Sequence, residues 1–178
     1  ENYQGGVVVD SSGNVYATGY QTTNWYAFFV KYNSSGALQF QKHYYPTGYG
    51  CLASAATSNS DNTEFYVTGY ITSTQGAYIV KLTTAGAVSW ARKLTGEGGG
   101  NAEGNGIACD SSDNVLLAFH TATGGQHHIA VAKYNSSGAI QWQRKIVTGS
   151  NTQGYDVASD SNDNVYVVGS NWTDTTMR

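Results

Sequence analysis

Val7-Val8-Val9-Asp10-Ser11-Ser12-Gly13-Asn14-Val15-Tyr16 sets a short β-branched run against a polar five-residue turn and then begins a second apolar run. The arrangement returns as Ile107-Ala108-Cys109-Asp110-Ser111-Ser112-Asp113-Asn114-Val115-Leu116 and as Val157-Ala158-Ser159-Asp160-Ser161-Asn162-Asp163-Asn164-Val165-Tyr166, with a looser copy from Thr57 to Tyr66. Tyr16, Tyr66, Leu116 and Tyr166 are spaced by 50 residues each time. A second motif keeps step: Lys31-Tyr32-Asn33-Ser34-Ser35-Gly36-Ala37-Leu38-Gln39-Phe40 recurs from Lys81 to Trp90 and from Lys133 to Trp142, at spacings of 50 and 52. Two motifs locked to one period identify a tandem repeat.

Each unit reads as four short strands. The first, Val7 to Val9, closes in the Asp-Ser-Ser-Gly-Asn turn, where Asp and Asn bond nearby backbone amides and Gly takes a positive φ. The second runs from Val15 to Tyr20. The third, Ala27 to Tyr32, is apolar on both faces apart from its Lys, as are Ala77 to Leu82 and Ile129 to Tyr134, so it is expected to be covered on both faces. The fourth is expected to alternate, with Leu38 and Phe40 on one side and Gln39 and Gln41 on the other, as a half-exposed outer strand does.

Four-stranded antiparallel units stacked face to face make an all-β fold, a β-propeller. A single unit cannot bury two apolar faces, so units must follow one another. At about 50 residues per blade the 178 residues hold about three and a half blades: 5–50, 51–104, 105–154 and a partial fourth over 155–178. The ring is therefore expected to be incomplete here and to belong to a longer chain, or to be finished by another subunit.

These residues resemble the SBBP-type β-propeller repeats, whose pattern is matched best by Asp10 to Tyr20, Lys31 to Phe40, Lys133 to Arg144 and Asp160 to Gly169. The wording of Lys133 to Arg144 is similar to forms found in structural proteins of marine phages, cyanophages among them, and related repeats occur in bacterial secreted and surface proteins. The resemblance implies scaffold or recognition work and brings no catalytic residues with it. The second unit departs from the pattern in its lengthened first turn, Ser58 to Glu64.

Composition points the same way. Charged residues are 12% of the chain, against ~25% in an average soluble domain, and net charge is −3. A surface of hydroxyls and amides suits a virion or an extracellular or cell-surface setting, with other virion or surface subunits and a cell-surface glycan as expected partners. Neither nucleic-acid binding nor membrane insertion is expected. Of the nine Lys and Arg residues, eight fall at repeat-equivalent positions, which spreads them around the ring. Cys51 and Cys109 sit at different repeat positions and are read as free thiols.

No cofactor, no metal site and no catalytic group is expected. The Asp110 and Asp160 turns lack the spacing and terminal Glu of a calcium loop. Adjacent His127 and His128 point to opposite faces of a strand, against a shared metal. Gly96 to Gly106 is Gly-rich without the Gly-Lys-Ser/Thr of a phosphate loop, and Glu97 with Glu103 is expected to lie in a mobile loop. Asn33 and Asn135 open sequons but occupy tight turns, where Asn serves the backbone. The turns after strands one and three share one edge of the stack and are near copies of one another. The loops after strands two and four share the other edge and vary, which is where recognition is usually housed. On that edge the expected ligand-binding residues are Asn24, Trp25, Tyr44, Tyr45, Tyr49, His127 and Trp172. Aromatic faces beside amides and hydroxyls suit carbohydrate.

Overall fold

Short β-branched and aromatic runs punctuated every few residues by Gly, Asn and Asp leave strands and tight turns as the only regular structure. In the computed structural model, which describes residues 5–44, 50–73, 75–96, 99–146 and 151–171, fourteen strands form four antiparallel sheets. The first holds β1 (Gly6–Val9), β2 (Val15–Gln21), β3 (Tyr26–Tyr32) and β4 (Leu38–Tyr44) in sequence order. The second holds β5 (Cys51–Ser58), β6 (Glu64–Ile71), β7 (Gly76–Thr83) and β8 (Val88–Leu94), and the third β9 (Ala102–Cys109), β10 (Val115–Thr123), β11 (Gln126–Tyr134) and β12 (Ile140–Ile146). The fourth has two strands, β13 (Thr152–Ser159) and β14 (Val165–Asn171). The fold is all-β and propeller-like, and the described residues form no closed ring.

The repeating turn owes its shape to one carboxylate. Asp10 Oδ1 accepts from the Ser12 and Asn14 amides at 3.0 and 2.9 Å, while Oδ2 accepts from the Asn14 side chain. Asp110 and Asp160 repeat these bonds, and Asn59 holds the longer turn of the second sheet by accepting from the Glu64 amide. Position 13 is Gly at φ 77, and its counterparts Asp113 and Asp163 adopt the same left-handed conformation. They add something Gly13 cannot. Asp113 accepts from the Ser60 amide of the preceding sheet at 2.8 Å, and Asp163 from the Ser111 amide at 3.0 Å. The Asp-rich turns thus clip one sheet to the next.

The sheets meet through three apolar seams. Tyr16, Ala27 and Phe29 pack on Cys51, Phe65, Val67, Tyr78 and Val80, with the Tyr16 and Phe65 rings stacked at 3.8 Å. Tyr66, Ile79 and Leu94 meet Ile107, Leu117, Phe119, Ala130 and Tyr134 in the second seam. Leu116, Ala118 and Val131 meet Val157 in the third and smallest. Glycine is required where first strands approach a neighbouring backbone: a Cβ on Gly106 would lie 2.5 Å from the Asp156 Cα.

Two departures from the sequence reading share one cause. β9 and β13 begin at Ala102 and Thr152, three residues ahead of the boundaries read from the repeat. Each carries a one-residue bulge, at Asn105 and Tyr155, matched by Ser54 in β5, and the bulge lets pairing continue beyond the repeat boundary. Glu103 therefore stands on a strand and not in a mobile loop. Glu97 lies outside the described residues. Likewise β4, β8 and β12 do not alternate strictly: a bulge at Gln39, Ser89 and Gln141 leaves Leu38, Val88 and Ile140 exposed while Phe40, Trp90 and Trp142 turn toward the seams.

Candidate functional site

The β2–β3, β6–β7 and β10–β11 turns all lie on the variable edge, and each reaches the first strand of the next sheet. Trp25 O accepts from the Cys51 amide at 2.6 Å, and Gln75 O from the Ala102 amide at 2.7 Å. The third case differs. His127 O is met by the Thr152 hydroxyl at 3.5 Å, and that oxygen accepts from the Ile129 amide at 3.0 Å. The Thr152 side chain thus bonds the β11 backbone, and beside it opens a cleft of about 220 Å³ lined by Glu103, His120, His127, Asn151, Thr152 and Gln153.

Register explains this gathering. His120 of β10 pairs directly with Glu103 of β9 and with Ile129 of β11. Side chains opposite one another leave the same face, and His127, two residues before Ile129, shares it. The two imidazole rings meet edge to face at 5.1 Å, and His120 Nε2 stands 3.7 Å from Glu103 Oε2. His120 is 6% exposed, and its Nδ1 has no partner. Burial, helped by His127, pulls the His120 pKa down to about 4, so the imidazole is neutral at neutral pH. Burial pushes the Glu103 carboxyl up, and His127 draws it part of the way back. Among the described residues no group of three His, Cys, Asp or Glu is placed to hold a metal ion.

The expected site residues are dispersed along the same edge. Asn24 is exposed. Trp25, 46% exposed at φ 55, stacks on Tyr20 at 6.3 Å. Tyr44 turns into the first seam, 5.9 Å from Tyr78, and burial raises its pKa. His127 lines the cleft. Tyr45, Tyr49 and Trp172 lie outside the described residues. Trp25 and His127 hold equivalent positions, each two residues before the partner of Tyr20 or His120, so Tyr20–Trp25 and His120–His127 are the same aromatic pair in two sheets.

The expected set omits His120 and places Glu103 wrongly. Both residues break the repeat: His120 stands where the first two sheets have Tyr20 and Tyr70, and Glu103 where the second has Leu52. That double departure is the signal the sequence offers.

The basic residues serve the opposite edge and the outer strands. Lys81 pairs with Glu64 and Lys133 with Asp110, both at 2.6 Å. Lys42 donates to Ala85 O, and Arg92 to Gly138 O, each on the third turn of the following sheet.

A family model described as the beta-propeller repeat SBBP matches residues 141–173. No curated protein matches the chain. Among solved structures, hydrazine synthase from Kuenenia stuttgartiensis is similar in fold, with a TM-score of 0.70 at 9% identity over 90% of this chain and 48% of that one. An exo-β-1,3-galactanase from Phanerochaete chrysosporium, solved with β-1,3-galactotriose, gives 0.57 at 11% identity over 92% of this chain and 40% of that one. This chain thus spans about half or less of these structures, and at such identities the likeness is one of fold alone. It does correct one expectation. Both chains are enzymes, so a propeller-like fold carries no argument that this chain lacks catalysis.

Proposed function

We propose that this chain is a recognition module displayed on the outside of a particle or cell, binding a surface glycan through its variable edge. A phage virion, at the tail or fibre, is the setting its composition and repeat wording fit best. A bacterial secreted or surface adhesion propeller is the alternative. The observation that carries the reading is the contrast between edges: near-identical turns bound sheet to sheet on one, and differing loops with a polar cleft on the other. The exposed Trp25 face and the Glu103, His120, Asn151 and Gln153 polar set lie on that second edge.

The test is binding of the chain to an array of bacterial surface polysaccharides. Binding to at least one is expected, weakened by Trp25→Ala or Glu103→Gln and untouched by Ser34→Ala on the uniform edge. Binding to none, or binding indifferent to the edge altered, overturns the reading. Mass spectrometry of purified particles against a cell-surface fraction separates the two settings. A polysaccharide-acting enzyme is a further reading, favoured by the Glu103–His120 approach. Turnover lost in Glu103→Gln with binding retained would select it.

A further inference from the structure

The corner where the third sheet meets the fourth holds an unfinished hydrogen-bonding arrangement. Glu103 Oε2 and His120 Nε2 face each other at 3.7 Å, too far for a direct bond. The other nitrogen of His120, Nδ1, is buried without a partner. An imidazole that is 6% exposed, with one nitrogen buried and unpaired, is uncommon in a folded protein. Bare Nδ1 is tolerated best as a lone pair, which puts the proton on Nε2, facing the carboxylate across the gap.

We propose that this cleft binds one ring of a neutral sugar, through a hydroxyl that donates to Glu103 and accepts from His120. The inference rests on the glycan-recognition reading above and names the site and ligand class within it. A hydroxyl both donates and accepts, and so completes the two facing groups at once. An ammonium only donates and would leave the His120 N–H unmet. A carboxylate or phosphate only accepts, and would meet Glu103 with no Lys or Arg among the described lining residues to offset it. Size agrees: about 220 Å³ falls below the ~300 Å³ lower end of pockets for drug-sized ligands, which suits a single ring. His127 and the amides of Asn151 and Gln153 line the remaining wall, within reach of neighbouring hydroxyls. With burial holding its pKa near 4, His120 stays neutral over the range where it must donate.

The experiment follows the imidazole signals of His120 and His127 by carbon–proton NMR on the whole chain. The probes are the methyl glycosides of glucose, galactose and mannose, with methylammonium as the donor-only control. The expected result is a saturable shift of both signals with at least one glycoside while the exposed His43 signal stays still. Glu103→Gln should weaken that binding about tenfold. Gln153→Ala serves the same purpose if Glu103→Gln does not fold. No shift with any glycoside, an equal shift of His43, or a response to methylammonium alone overturns the proposal. If polysaccharide binding is found and depends on Trp25 while the His120 signal never moves, the recognition reading stands and this cleft is not its sugar site. If His120 responds to a glycoside in a chain that binds no surface polysaccharide, the cleft is a sugar site and the recognition reading falls.

Discussion

The second and third seams are built from opposite faces of the same sheet, yet they are different places. Between the second and third sheets, Tyr66, Ile79, Leu94, Phe119 and Tyr134 fill the interface, and the variable edge is closed by the 2.7 Å backbone bond from Ala102 to Gln75. Between the third and fourth, Leu116, Ala118, Val131 and Val157 make a smaller core, the Thr152 hydroxyl bonds the β11 backbone, and polar groups line a cleft. One seam is filled by large apolar side chains, while the other leaves a polar cleft at the variable edge. A stack of near-identical units can thus specialise a single junction by changing two or three residues at one end of it.

Adjacent leucines make the sharpest comparison. Leu117 and Leu116 are both fully buried, one in each seam. Leu117→Ala should cost about 4 kcal/mol, near the top of the range for such changes, because the rings around it cannot close on the void. Leu116→Ala should cost about 2 kcal/mol, since the smaller seam can relax into the space. Urea unfolding of the two variants checks this, and equal losses would break the comparison.

Acid should act first on the open seam. His120 has its pKa depressed from 6.5 to about 4, so the unfolded chain takes up a proton there before the folded chain does. Stability from this group is whole above pH 6.5 and is lost as pH falls to about 4, by about 3 kcal/mol in total. Glu103, raised by burial, runs the other way: protonation relieves its buried charge and offsets part of the loss. Thermal melts between pH 7 and 4 should flatten in His120→Tyr, which restores the residue type of the first two sheets.

Asn105→Ala removes the 2.6 Å bond from its buried amide to Gly154 O across the open seam, for an expected loss of about 2 kcal/mol by urea unfolding. Cations give the smallest contrast. Arg92 donates to carbonyls of Ser137 and Gly138 in the third sheet, whereas among the described residues Arg144 donates to Gln143 O in its own strand. Arg92→Ala should cost about 1 kcal/mol and Arg144→Ala less than about 0.5 kcal/mol.

The unequal legibility of scaffold and site follows from what a repeat transmits. Strands, turns and sheet order recur every fifty residues, so Asp10, Asp110 and Asp160 announce themselves by agreement. The cleft depends on disagreement, and on pairing across strands. Placing His120 opposite Glu103 requires knowing that Asn105 is bulged out of β9, and an unpaired residue leaves no mark in a period count. His127 and His128 are neighbours in sequence and belong to opposite faces of β11. The neighbour that matters to His127 is His120, across a hairpin.

The serine-to-aspartate clips give this chain a direction. Ser60 donates forward to Asp113 and Ser111 donates forward to Asp163, while Gly13 has no side chain with which to receive. Proteins assembled from near copies risk docking the wrong copy while folding, since any unit can cover any other's apolar face. Here a unit bearing Asp in that turn gains a bond to the sheet before it that a Gly-bearing copy lacks. Single turn residues thus mark which edge of the third and fourth sheets faces backward along the chain, a polarity that their apolar faces do not carry.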